Sequence, residues 1–257
     1  MCGERRPQRG SARDLRDPLL ICLTFGAGAV DAISFLGLGV FTANMTGNLV
    51  LLGVAVGRRA GSDVLRAAVS VVGYTTGVFA ASRLVRRNGA PRSWPLGVTV
   101  ALGVEALAQT GFLAGWLSAG GRPATALGTV LVAASAFAMG LQSGAVGALR
   151  VSGVTTTYVT GTLTGLVAEV GSGSPPRPDW TRRVAVLAAL VAGAAGAALL
   201  LVGPRRAAPA LPLVVTLAVA TTAAHTIGKE IEERSDEGSG LRGHEASRRP
   251  RGGGRRA

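Results

Sequence analysis

Apolar positions in this chain fall into long unbroken runs, without the alternation of a half-buried strand or the narrow stripe of a surface helix. Six runs, at about 18–38, 66–85, 95–117, 125–149, 182–203 and 209–228, reach the roughly 20 residues that a spanning helix needs. Two further runs, at about 40–57 and 154–170, are apolar but richer in Thr, Asn and Gly. Gly, Pro and Arg punctuate the gaps, as in Arg87-Asn88-Gly89-Ala90-Pro91-Arg92 and Ser172-Gly173-Ser174-Pro175-Pro176. The pattern predicts an all-α integral membrane helix bundle. Six long spanning helices are joined by two short Thr/Gly-rich helices that either cross or are broken and re-entrant.

Sliding the chain by 114 residues lays Val40-Phe41-Thr42-Ala43-Asn44-Met45-Thr46-Gly47-Asn48-Leu49 on Val154-Thr155-Thr156-Thr157-Tyr158-Val159-Thr160-Gly161-Thr162-Leu163. Gly26 then falls on Gly140, Gly39 on Gly153, run 66–85 on 180–199 and run 95–117 on 209–231. Each half carries one long run, one short run and two more long runs, so the reading is of two internally repeated halves. The organisation expected is a basic cytoplasmic tail at 1–16, a first membrane repeat at 17–118, a second at 122–228 and a disordered charged tail at 229–257. If the short runs cross, there are eight helices and the repeats are parallel. If they re-enter, each half crosses three times and the repeats are inverted. Counting Arg in the loops does not decide: seven lie on each side in the first case, eight inside and six outside in the second. The basic N-terminus favours N-inside in both, with the C-terminus also inside.

Composition supports the membrane reading. Only 16% of residues are charged and 48% are hydrophobic, against roughly 25% charged in a soluble domain. The net charge of +13 is not a nucleic-acid footprint, because its Arg residues are scattered among short gaps between apolar runs. Headgroup contact accounts for them. Ala27-Gly28-Ala29 loosely fits a signal-peptide cleavage site, but the apolar character continues past it to Val40, so the first run reads as an uncleaved spanning helix. Cys2 and Cys22 make neither a disulfide framework nor a metal site, and Cys22 is expected to be a buried small group.

Several chemistries lack their signatures. The phosphate loop G-x-x-x-x-G-K-[ST] and the motifs H-E-x-x-H, C-x-x-C and G-x-S-x-G do not occur, and His225 and His244 are the only histidines. The expectation is a protein that is not an enzyme and has no catalytic residues, no cofactor and no metal site. Its partners are expected to be the lipid bilayer and a small polar solute or ion, with no nucleic acid. Nothing in the sequence sets an oligomeric state.

Candidate site residues are the polar groups inside the runs. Thr42 and Thr46 are four apart, as are Thr156 and Thr160, and each pair would share one helix face. Asn44 and Asn48 would form a second polar stripe, and Gly47 and Gly161 permit a break or a close backbone approach. Such segments either build a transport site from freed backbone groups or serve as interhelical hydrogen-bond glue. Asp31 and Glu105 are acids within spanning runs, where a charge costs at least about 2.5–3.5 kcal/mol on insertion scales. Their counterparts at the 114-residue offset, Ala145 and Val219, are apolar, so the acids are additions to one half. Asp31 is expected to face the bundle interior and to couple protons or bind a cation. Gln109 and Gln142 could line a cavity or bond across helices, Glu169 and His225 lie near run ends, and Ala189, Gly193 and Ala197 form a small-residue packing face.

The residues Gly28-Ala29-Val30-Asp31-Ala32-Ile33-Ser34-Phe35 and Phe41-Thr42-Ala43-Asn44-Met45-Thr46-Gly47-Asn48, followed later by Gly140-Leu141-Gln142-Ser143 and Thr155-Thr156-Thr157-Tyr158-Val159-Thr160-Gly161-Thr162, resemble the two signatures of the YoaK family. These are uncharacterised bacterial multi-pass membrane proteins, and the resemblance covers roughly residues 17–228. It implies a bacterial inner-membrane location and brings no reaction or substrate. The reading is a secondary transporter or permease for a small polar solute or ion. Its rival is a non-transporting scaffold or partner subunit.

Overall fold

A computed structural model describes residues 11–87, 96–148, 159–173 and 177–225. It contains α1 (Ser11–Leu38), α2 (Met45–Gly57), α3 (Gly61–Arg87), α4 (Leu96–Ser118), α5 (Thr125–Ala148), α6 (Val159–Gly171) and α7 (Trp180–Val202). A short 3-10 turn, Arg205–Ala207, leads into α8, described over 210–225. No strand occurs among the described residues. Among the described residues, six helices are long and apolar enough to cross a membrane: Arg16–Leu38, Gly61–Val85, Leu96–Ser118, Thr125–Ala148, Trp180–Val202 and Arg205–His225. α1 starts at Ser11, within the segment expected to be a tail. The tail expected at 229–257 lies outside the described residues.

Two apolar clusters, one at each end of the bundle, fix the direction of every crossing. The first joins the starts of α1 (Leu19, Leu20, Leu23), α4 (Val98, Leu102) and α7 (Val186) to the ends of α3 (Leu84, Val85), α5 (Ala145, Val146) and α8 (Val219, Ala223). The second joins the opposite ends: Leu38, Trp116 and Leu201 with Ala67, Leu131 and Ala208. Hence α1, α4 and α7 run one way and α3, α5 and α8 the other. The first half crosses three times, and the second half crosses three times in the reverse sense.

The short helices do not cross. α2 has 13 residues and a length of about 20 Å, against a hydrocarbon core of about 30 Å. It lies between the end of α1 and the start of α3, which share one end of the bundle. α6 is described over 13 residues, Val159–Gly171, and lies between the end of α5 and the start of α7, at the opposite end.

Glycines allow the tightest crossings. A Cβ on Gly28 would overlap the Leu190 carbonyl, and one on Gly193 would overlap that of Phe25, so α1 and α7 touch backbone to backbone. α3 and α5 do the same, with Gly77 against the Phe137 carbonyl and Gly140 against that of Tyr74. Lipid-like surroundings provide no hydrophobic drive between helices, so this close approach, with its dispersion contacts, takes that role. The outward face is correspondingly apolar, with Val72, Phe79, Leu107, Val130, Val191 and Leu199 exposed. Cys22 is exposed as well, which corrects its expected burial: its turn of α1 faces outward in place of packing.

Gly193→Val should cost about 1–3 kcal/mol or more through overpacking and lower the melting temperature of the purified protein. Gly53, which has no atom within 4 Å of an added Cβ, should accept Val with little change.

Candidate functional site

The centre of interest is the unwound stretch between α1 and α2. Gly39 follows the last residue of α1 with φ +79°, a left-handed conformation that ends the helix without a Cβ penalty. The chain then turns back into the bundle. Thr42 and Ala43 donate their backbone N–H groups to Asp31 Oδ1 at 2.9 and 2.7 Å. Asp31 lies seven residues before Leu38, so this contact is about 10 Å inside the end of α1. The Phe41 N–H donates to Asn48 Oδ1 at 2.9 Å, and the Phe41 carbonyl accepts from Asn48 Nδ2 at 2.6 Å and Ser70 Oγ at 2.7 Å. Arg66 Nη1 donates to the Leu38 carbonyl at 3.2 Å. Each of these backbone groups would otherwise be unpaired in a helical membrane protein, at several kcal/mol apiece.

Side chains secure the same stretch. The Thr42 hydroxyl is fully buried, lies 3.2 Å from Ser34 Oγ and accepts from Ser135 Oγ at 3.1 Å. This joins the unwound segment to α1 and α5. Asn44 caps α2 by accepting the Gly47 N–H at 3.1 Å. Phe41 stacks on Phe35 with ring centroids 4.6 Å apart, and a Cβ on Gly47 would come within 2.9 Å of the Phe41 ring. Of α2, only Asn48 and Ala55 are buried. Leu49, Val50, Val54 and Val56 point outward. The helix therefore puts its amide in the protein and its aliphatic side chains toward lipid.

A second polar cluster lies between α4 and α8. Glu105 is 1% exposed. Its Oε1 accepts from Gln109 Nε2 at 2.8 Å and from Thr216 Oγ1 at 3.2 Å. Glu105 Oε2 and Gln109 Oε1 have no hydrogen-bond partner among the described residues. Gln109 also lines a cavity of about 20 Å³ with Val30, Ile33, Ser34, Phe112, Ser135, Pro209 and Pro212. The cavity lies between the Glu105 cluster and the hydroxyls that hold Thr42. Its volume suits one water-sized occupant.

Of the residues singled out from sequence, Asp31 and Asn48 meet around the segment 39–44, with Gly47 beneath Phe41. Two stripes drawn on a continuous helix are corrected. Thr42 is in the unwound stretch and buried, whereas Thr46 is on α2 and exposed; Asn44 is an exposed cap, whereas Asn48 is buried. The break falls between Thr42 and Thr46, whereas Asn44, as the N-cap of α2, still accepts the Asn48 N–H on its backbone carbonyl at 3.2 Å while its side chain turns to the Gly47 N–H. Glu105 forms its own cluster. Thr160 and Gly161 are exposed on α6, which packs against α7, and Thr156 lies outside the described residues. Glu169 pairs with Arg183 at 3.0 Å and Arg177 at 3.4 Å, near the bundle end where α7 starts. Gln142 donates to the Leu23 carbonyl at 3.4 Å. Among the described residues, no three or more His, Cys, Asp or Glu side chains gather into a metal-binding group.

Sequence reasoning missed Ser34, Ser70, Ser135 and Thr216. Ser34 had a signal, being three residues from Asp31 and so on the same face of α1. The other three are distant in sequence from their partners and carried none.

Asp31→Asn should fold, because its amide oxygen can still accept from Thr42 and Ala43. Asp31→Leu orphans both N–H groups and should cost about 2–5 kcal/mol. Thermal unfolding of the purified variants measures the difference, and equal losses in Asn and Leu would contradict the hydrogen-bonding role.

Residues 19–223 match the family described as "Protein of unknown function (DUF1275)". Over 161 residues the chain is 35% identical to the UPF0700 transmembrane protein YoaK of Bacillus subtilis (strain 168), an alignment covering 62% of this chain and 69% of that protein. No solved structure matches the chain. Its six apolar crossings and this likeness through most of the membrane region make the chain a multi-pass transmembrane protein of the YoaK (DUF1275) family.

Proposed function

We propose that this protein is a secondary transporter or permease for a small polar solute or ion, in the bacterial inner membrane, with both termini cytoplasmic. The observation that carries the reading is the unwound segment 39–44, whose Thr42 and Ala43 N–H groups rest on a carboxylate well inside the bundle. Broken backbone at membrane depth occurs where it lines a site or is buried in protein. Two oppositely directed sets of three crossings, each with a short helix at its own end, support an alternating mechanism and an internal duplication at the 114-residue spacing. The basic N-terminus, Arg5 to Arg16, supports the orientation. The assignment involves no bond-making chemistry and no cofactor.

In this reading Asp31 is the coupling group. A carboxylate holds two N–H donors more strongly than a neutral carboxyl does, so protonation loosens segment 39–44 and deprotonation draws it back. The rival scaffold reading has one observation of its own: Asn48, Ser70 and Phe41 satisfy one another fully, as packing glue would.

The test is proton-linked flux in vesicles carrying the full-length protein, challenged with a panel of small polar solutes and ions. Wild type should give a solute-dependent pH change in the lumen. Asp31→Asn should abolish it while the protein remains folded in the membrane. A response of wild-type size in the Asn variant would contradict the coupling role, and no response to any solute in wild type would favour the scaffold.

A further inference from the structure

The two short helices are held in place by different forces. α2 is fixed by neutral groups, with Asn48 on the Phe41 backbone and on Ser70. Of α6, only Thr162 and Leu166 are buried, and Leu163, Val167 and Val170 face outward. Past Leu166 its hold on α7 is ionic. Glu169 Oε1 accepts from Arg183 Nη1 at 3.0 Å and lies 3.4 Å from Arg177 Nε. Arg183 Nε donates to Asp179 Oδ2 at 3.0 Å. Arg182 pairs with the same oxygen at 3.6 Å and with Asp17 of α1 at 3.2 Å. Charges of alternating sign, on Glu169, Arg183, Asp179, Arg182 and Asp17, therefore lead from α6 through the start of α7 to α1.

Helix stability does not account for this placement. Glu169 is in the last turn of α6, where the helix dipole disfavours an anion. Arg182 and Arg183 are in the first turn of α7, where it disfavours cations. Each of these charges gains only from its partner. Arg183 is 9% exposed and the Glu169 side chain 15%. For a pair so far removed from water, lost hydration offsets much of the Coulomb attraction. Glu169 Oε2 adds to that cost, being buried with no hydrogen-bond partner among the described residues. The contact is a narrow balance that is readily tipped, unlike the satisfied contacts of Asn48.

We propose that Glu169 and Arg183, braced by Asp179, Arg182 and Asp17, form an ionic latch that holds α6 against α7 at the bundle end where α1 begins. When Arg183 releases Glu169, α6 swings away from α7 and uncovers Thr162 and Leu166. Arg183 keeps Asp179 as its partner, so the break falls on the α6 side. Segment 39–44 enters from the other end, so the latch gives the bundle a second moving element, on the side of α6. Its role as a gate rests on the permease reading; the latch itself does not.

The experiment reads thiol labelling of the full-length protein in nanodiscs by a water-soluble maleimide, in a background lacking Cys2 and Cys22. Leu166→Cys reports on the face that α6 buries. Val132→Cys, at a position 0% exposed in the cluster of the opposite end, reports general loosening. Glu169→Gln should speed labelling at 166 about tenfold, the cost of losing one partner of a buried pair reduced by partial exposure, and leave labelling at 132 unchanged. Arg183→Gln should also speed it, and the double variant should label no faster than Arg183→Gln alone, since both remove one contact. Glu169→Gln keeps the shape of the side chain and carries the test by itself if Arg183→Gln fails to fold. Unchanged labelling at 166 in Glu169→Gln, equal acceleration at 132, or single effects that multiply in the double variant, would overturn the latch. The expected labelling in a protein that carries no solute would leave the latch standing and remove the permease reading; solute flux with 166 unresponsive would do the reverse.

Discussion

A membrane interior leaves no water for an unpaired backbone group, and this constraint governs the stretch that follows α1. Once Gly39 ends the helix, the N–H groups of Thr42 and Ala43 need acceptors inside the bundle. Asp31 Oδ1 provides for both. That single oxygen decides how deep the chain returns, where α2 can begin and which face α2 turns to α3. Asn48 then reads the backbone of Phe41 from the other side, and Ser70 ties the pair to α3. The short helix is kept from crossing by these polar contacts together with its length.

The surrounding frame is held by a different interaction. Glycine crossings at Gly28/Gly193 and Gly77/Gly140 let α1 meet α7 and α3 meet α5 at backbone distance. Each crossing joins a helix of one half to a helix of the other, so neither half has a complete interior by itself. The polar elements, Asp31 with its segment and Glu105 with Gln109 and Thr216, are set into this frame, and the small cavity lies between them.

The six crossings were legible because a run of about 20 apolar residues carries its own signal. The short segments were legible as unusual, since Thr, Asn and Gly interrupt their apolar character. Their internal break was not. Thr42 to Thr46 fits a helical period, and nothing local reveals that Asp31, more than ten residues earlier, would take the N–H groups of Thr42 and Ala43. Arg counting left six and eight crossings equal; the end-to-end segregation of the two apolar clusters separates them, and that is a property of packing. Asp31 announced itself as an acid in an apolar run. Ser70 and Thr216 look like ordinary polar interruptions until their partners, 22 and 111 residues away, come into contact.

The claim on which the account turns is that the chain dips at 39–44 and returns in α2 to the side where α1 ended. Single cysteines introduced for Arg58, Arg122 and Arg206, and one in the C-terminal tail, in a background lacking Cys2 and Cys22, test it through labelling with a membrane-impermeant thiol reagent from each side in turn. The account predicts that positions 58, 122 and 206 label from one side and the tail from the other. Labelling of 58 and 122 from the side of the tail, with 206 opposite, would mean that α2 crosses the membrane and would contradict it.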